Sequence, residues 1–328
     1  MSVYQRVKAS DLLSPVELEQ VRRPSDVLGI AVVAHCWLVI AGAMAMTAWQ
    51  WWLAPLAFVL IGARQLGLGI LMHDAAHGVL TKSKGLNDVL GQWFCAYPVG
   101  TNLLPYRAYH LKHHRATQQA DDPDLELSAH FPISRESFKR KLIRDITGQT
   151  GFQQRKAAFR NVIARRDWRT LGGWAITNTI ILGLCIISGY WWLYPLLWIA
   201  PLLTWFQLIT RVRNIAEHAV VPDNDDPFRN ARTTKTNIFT RALLAPYWVN
   251  YHVEHHLLFW VPCYRLPRLH QLLLAKGFER RMEIRSGYLE VLKQATSRAG
   301  SGGAEGGRGI RRRNRMMEGV GQDVPATS

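Results

Sequence analysis

Nine of the twelve histidines in this 328-residue chain fall in four short stretches. HDAAH carries His73 and His77, HLKHH carries His110, His113 and His114, RNIAEH ends in His218, and HVEHH carries His252, His255 and His256. On a helix, His73 and His77 leave the same face one turn above the other, which makes a two-armed clamp for a metal ion. The i, i+3, i+4 spacing of the HLKHH and HVEHH boxes again gathers imidazoles on one face. Adjacent histidines diverge by about 100° around a helix, so a single box can serve two neighbouring ions. Nine imidazoles exceed the roughly four to six ligands that one metal takes. Two metals are the simplest reading, and imidazole alone leaves Zn, Cu, Fe and Ni open.

Two long apolar regions, 27–72 and 172–210, must carry these boxes. A membrane crossing needs about 20 apolar residues, so each region is long enough to cross twice, as a hairpin. The expected spans are 27–48, 52–72, 172–188 and 192–210. The turns are uncharged and aromatic, with Trp49, Gln50, Trp51 and Trp52 in the first and Tyr190, Trp191, Trp192 and Tyr194 in the second. Indole and phenol rings favour the membrane interface. Cations crowd the opposite ends: Arg22, Arg23, Lys82, Lys84, Arg165, Arg166, Arg169, Arg211 and Arg213. The positive-inside rule then places both termini and every histidine box in the cytoplasm. Buried helices of a soluble protein would not explain uncharged aromatic turns.

The net charge of +16 raises the question of nucleic acid. The basic stretch 134–169 mixes Phe, Leu and Ile with Lys and Arg beside the spans, as a surface helix on anionic lipid does, and contains no base-reading module. Nucleic acid is therefore not an expected partner. Cys36, Cys95, Cys185 and Cys263 are widely spaced and without any CxxC, so neither a disulfide framework nor a thiolate metal site is indicated. Residues 87–106, broken by Gly91, Pro98, Gly100 and Pro105, are expected at the interface. The domain division expected is a cytoplasmic N-terminal segment at 1–26, a membrane domain at 27–296 and a disordered, basic, glycine-rich tail at 297–328. The N-terminus lacks the apolar core of a secretory signal, so insertion is expected through the internal spans.

Other polar residues near the boxes invite narrower roles. Asp74, Glu217 and Glu254 adjoin the histidines and either accept a second ring N–H, fixing the tautomer, or stand as solvated charges. His35, His130 and His270 lie outside the boxes. Arg64 sits within the second span, where an arginine is costly. It either pairs with a neighbouring element or holds a polar group of a substrate.

The order HDAAH, HLKHH, HVEHH with spans between them resembles the membrane fatty acid desaturase and hydroxylase superfamily. The likeness covers roughly 27–270, including DDPDLEL after the second box, RNARTT before the third and VPCYRLPRLH after it. It implies an all-α integral membrane protein: four transmembrane helices in two hairpins, with a cytoplasmic helical cap holding the boxes. It also implies two iron ions held by His73, His77, His110, His113, His114, His218, His252, His255 and His256, with Asn214, four residues before His218, as a further ligand candidate. The implied reaction is O2-dependent desaturation of a fatty acyl or lipid-like chain in a bacterial inner membrane. Electrons would come from a separate ferredoxin or cytochrome-type donor. The alternatives are a hydroxylase or ketolase of a lipid or carotenoid, an enzyme of a small amino-acid-derived compound, and, from a different class, a non-catalytic metal-binding membrane protein.

Overall fold

The computed structural model describes residues 7–298. The tail expected at 297–328 lies outside the described residues from 299 onward. Four helices are long and apolar enough to cross a membrane: Asp26–Trp49, Trp51–Ala76, Trp168–Ile187 and Tyr194–His218.

The first of these is capped by the Ser25 side chain, which accepts from the Leu28 N–H. It buries Gly29, Val33, Cys36, Ile40, Ala43 and Thr47, a stripe that recurs every three or four residues. Off that stripe Val27 and Leu38 stay 74% and 71% exposed. A helix apolar on every side but packed along one stripe needs hydrocarbon around the rest. The exposed rings of Trp49, Trp51 and Trp52 mark the turn that follows.

The second apolar helix is the central one, buried at almost every residue from Ile61 to Ala76. Close contacts bring other elements onto its small residues. Gly62 and Gly67 receive the rings of Trp205 and Tyr247, where an added Cβ would lie 2.7 and 2.8 Å from ring carbons. The fourth apolar helix is interrupted at Thr204, whose φ of −122° and ψ of −84° leave the helical region, and continues as Trp205–His218. Its helical ladder therefore passes the cations Arg211 and Arg213, where the hydropathy falls, and carries on to His218. The second helix likewise runs past residue 72 to Ala76. Both end in histidines.

The remaining box histidines ride on two helices outside the apolar set, Leu103–Arg115 and the six-residue His252–Leu257. Asn102 caps the former by accepting from the Leu104 N–H. The latter is braced by Thr233, whose hydroxyl accepts from the Val253 N–H at 3.2 Å. Thr233 belongs to a two-residue strand, Thr233–Thr234, paired in parallel with Ile284–Arg285. That pair is the small departure from an all-helical fold among the described residues. Two basic helices, Arg135–Ile146 and Gln149–Ala164, meet at Gly148, where φ is +79°. They are tied to the fourth apolar helix by the fully buried Asp145, which accepts two hydrogen bonds from Arg211.

Arg64 finds its partner on a neighbouring element. It donates to the Ala242 carbonyl in the last turn of the short helix Ile238–Leu243 and lies 5.6 Å from the Tyr247 ring. A guanidinium suits the negative end of a helix, and the contact anchors the segment that leads into the third histidine box.

Candidate metal centre

The fold brings the four boxes together. His73, His77, His110, His114 and His255 each offer a nitrogen to a group whose atoms all lie within 4.8 Å of one another, and His113, His218 and His256 form a second such group. His252 falls outside that limit but adjoins the second group: its Nε2 is 2.8 Å from that of His218 and 3.1 Å from that of His256. Asn214 lies half-buried one turn before His218. The HLKHH box is split as helical divergence allows, with His110 and His114 in one group and His113 in the other.

The nitrogen geometry decides between a hydrogen-bonded histidine cluster and a cation site. The Nε2 of His114 lies 2.9 Å from that of His110 and 3.0 Å from that of His255. The Nε2 of His252 is shared in the same way by His218 and His256. One ring nitrogen has one in-plane direction and cannot make two full hydrogen bonds at once. Two nitrogens about 2.1 Å from a common cation and at right angles to each other would be about 3.0 Å apart. Moreover, both ring nitrogens of His77 are buried without any hydrogen-bond partner. Such orphans are rare unless they await an ion. The residues fit two adjoining metals.

The electrostatics agree. Burial, then the neighbouring imidazoles, hold His77, His110, His114, His252, His255 and His256 well below the usual imidazole range. They are neutral at pH 7, the form that ligates metal. His113 moves the other way: burial disfavours its charged form, but the hydrogen bond and charge of Asp122 outweigh that and raise it.

Several partners orient the rings through their far nitrogens. His113 Nδ1 is 2.8 Å from Asp122 Oδ1, His218 Nδ1 is 3.3 Å from the Asn230 carbonyl, and His256 Nδ1 is 3.3 Å from the Thr117 hydroxyl. Asp122 comes from DDPDLEL, the stretch that follows the second box, and its role as an acceptor is not evident from spacing alone. Asp74 sits 3.5 Å from His73 Nδ1 while its other oxygen accepts from the Cys263 N–H at 2.7 Å. Glu217 is 3.7 Å from His252 Nδ1 but is engaged by Arg213 through two bonds of 2.6 Å. Glu254 differs from expectation: its carboxylate accepts from His270 and Thr233, not from a box histidine. On this short helix its side chain points away from the metal-facing rings, so it braces the box from behind.

A family model for fatty acid desaturases matches residues 49–287, which contain all four boxes. The chain belongs to the fatty acid desaturase family. Among its relatives, dihydrorhizobitoxine desaturase of Bradyrhizobium elkanii is 31% identical over 271 residues, covering 76% of this chain and 76% of the relative. Beta-carotene ketolase of Paracoccus sp. (strain PC1) is 28% identical over 249 residues, 73% of this chain and 89% of the relative. The sn-1 oleoyl-lipid 12-desaturase of Anabaena variabilis is 28% identical over 130 residues, 39% of this chain and 33% of the relative. Membership in this family makes the chain an oxidoreductase enzyme, which sets aside the non-catalytic metal-binding reading. Its four long apolar helices agree with a membrane protein of that family.

Proposed function

We propose that this enzyme is an O2-dependent di-iron desaturase that places a double bond in a fatty acyl or lipid-like chain. The observation that carries the reading is the convergence of nine imidazoles into two adjoining groups at the ends of the second and fourth apolar helices. In this reading His73, His77, His110, His114 and His255 hold one iron, and His113, His218, His252 and His256 hold the other, with Asn214 one turn from His218. When bound, the iron pair supplies the oxidising power that removes two hydrogens from an unactivated carbon pair while O2 is reduced with two external electrons. The chain's own residues fix where that power acts. Asp122, Asn230 and Thr117 set the ring orientations of His113, His218 and His256. Burial of His113, His114, His252 and His255 keeps water away from the reacting atoms.

The two helix pairs form two membrane hairpins, with the histidine-bearing helices as a cap on the cytoplasmic face of a bacterial inner membrane. The cations at the histidine end and the exposed Trp49, Trp51 and Trp52 at the other support that orientation. Residues 27–296 act as one membrane domain preceded by the cytoplasmic segment 1–26. A tag inserted between Gln50 and Trp51 should be reachable from outside intact cells, while a reporter after Ser328 should stay inside. The reverse labelling would put the boxes on the wrong face. Electrons come from a separate ferredoxin or cytochrome-type protein, which the basic cytoplasmic surface would attract if acidic.

A second reading follows from the relatives: action on dihydrorhizobitoxine or a similar small substrate, favoured by the 31% identity to the Bradyrhizobium desaturase, or ketolation, favoured by the 28% identity to the Paracoccus ketolase. Co-expression with an electron donor, followed by comparison of lipids and polar metabolites between wild type and His255→Ala, separates these. New double bonds in acyl lipids support the leading reading. An unchanged lipid profile with a new polar product transfers the assignment to the small-substrate alternative, and an oxygenated product to the ketolase one.

A further inference from the structure

From Ile61 to Ala76 the second apolar helix is buried at every residue except Gly69. The residues on either side, Leu68 and Ile70, are 0% and 2% exposed, yet a Cβ added to Gly69 would meet no atom within 4 Å. Open space therefore lies against this helix at one position. Gly69 is four residues before His73, so the space opens on the metal-bearing face about 6 Å of helix rise from that ligand.

One further turn along the same face stands Gln65, fully buried. Its Nε2 donates to the Trp198 carbonyl at 2.7 Å, which fixes the orientation of the amide and leaves Oε1 buried with no partner. Near Gly62, beside Gln65 on that face, packs the indole of Trp205, whose Nε1–H is likewise buried without an acceptor. An unpaired acceptor and an unpaired donor thus flank the membrane-ward end of the face that leads to the metals. Arg64 is adjacent in sequence but diverges by about 100° around the helix and is engaged by Ala242.

We propose that the space at Gly69 is part of the substrate chamber, and that Gln65 and Trp205 close it by binding a neutral group that both donates and accepts a hydrogen bond. A hydroxyl or a primary amide has that chemistry. A carboxylate does not, because it would face the lone pairs of Gln65 Oε1. The inference rests on the desaturase reading for the word substrate. It specifies a lipid-like molecule with a polar group about 12 Å along the helix from His73, eight residues away.

The test is binding, not turnover. The full-length iron-loaded protein in lipid nanodiscs is titrated with decan-1-ol, decanoate and decane, and dissociation constants are taken from the concentration dependence of the melting temperature. Decan-1-ol should bind at least about tenfold more tightly than either of the others, since tenfold is the share of one buried hydrogen bond and the hydroxyl makes two. Gln65→Leu should erase the preference over decanoate and reduce that over decane, and Gly69→Leu should block all three. Equal binding of the three probes to the wild type, or an undiminished preference for decan-1-ol over decanoate in Gln65→Leu, would overturn the proposal and assign the orphan atoms to buried water. The wild-type ranking needs no variant to fold. Failure of the desaturase reading would appear in the products, and failure of this inference in the binding series.

Discussion

Replacing His255 and His256 together by alanine should abolish substrate oxidation and strip most bound iron while leaving the protein in the membrane. The two residues are adjacent in sequence but serve different groups: His255 Nε2 lies 3.0 Å from that of His114, and His256 Nε2 lies 3.1 Å from that of His252. In the proposed assignment the double change therefore removes one ligand from each metal. Insertion should survive, because the helix His252–Leu257 is not one of the four apolar helices. Membrane fractionation, metal analysis and product formation on the same preparation check the result. Turnover retained by this variant would remove the third box from the site.

Asp122→Asn should lower iron affinity by about 10- to 100-fold, the usual effect of losing a carboxylate behind a ligating histidine. Asp122 is 5% exposed and accepts from His113 Nδ1 at 2.8 Å, from the Gln118 N–H at 2.7 Å and from the Asp124 N–H at 2.8 Å. A proton held on Nδ1 leaves Nε2 bare for metal, and the negative charge strengthens it as a ligand. Asparagine keeps the shape and one acceptor but removes the charge. The loop should therefore remain folded while the metal weakens, which competition with a graded series of chelators measures. Iron affinity equal to wild type would reduce Asp122 to a loop cap for Gln118 and Asp124.

The convergence of the histidine boxes was legible because metal ligation would tie one residue type to helical spacing, and few other demands place three histidines within five residues. The four apolar helices were legible for an equally direct reason, since a surface facing hydrocarbon tolerates no charge. Their ends were less so. Hydropathy falls at Arg211 and Arg213, but the hydrogen-bond ladder continues to His218, and only the fold shows Arg213 neutralised by Glu217. The partition of His110, His113 and His114 between two groups depends on how separate helices cross, which spacing permits without choosing. The pairing of Glu254 with His270, sixteen residues on, is likewise tertiary. Glycines show the limit most clearly. Gly62 and Gly67 are small so that Trp205 and Tyr247 can approach, whereas Gly69 faces open space. Nothing in the string of residues separates these uses.

In the proposed function two neighbouring histidine groups each hold an iron. Metal analysis of the purified wild-type protein, reported per polypeptide, tests it most directly. About two irons per chain are expected, as nine imidazoles at four to six ligands each require. One zinc and no iron would contradict it.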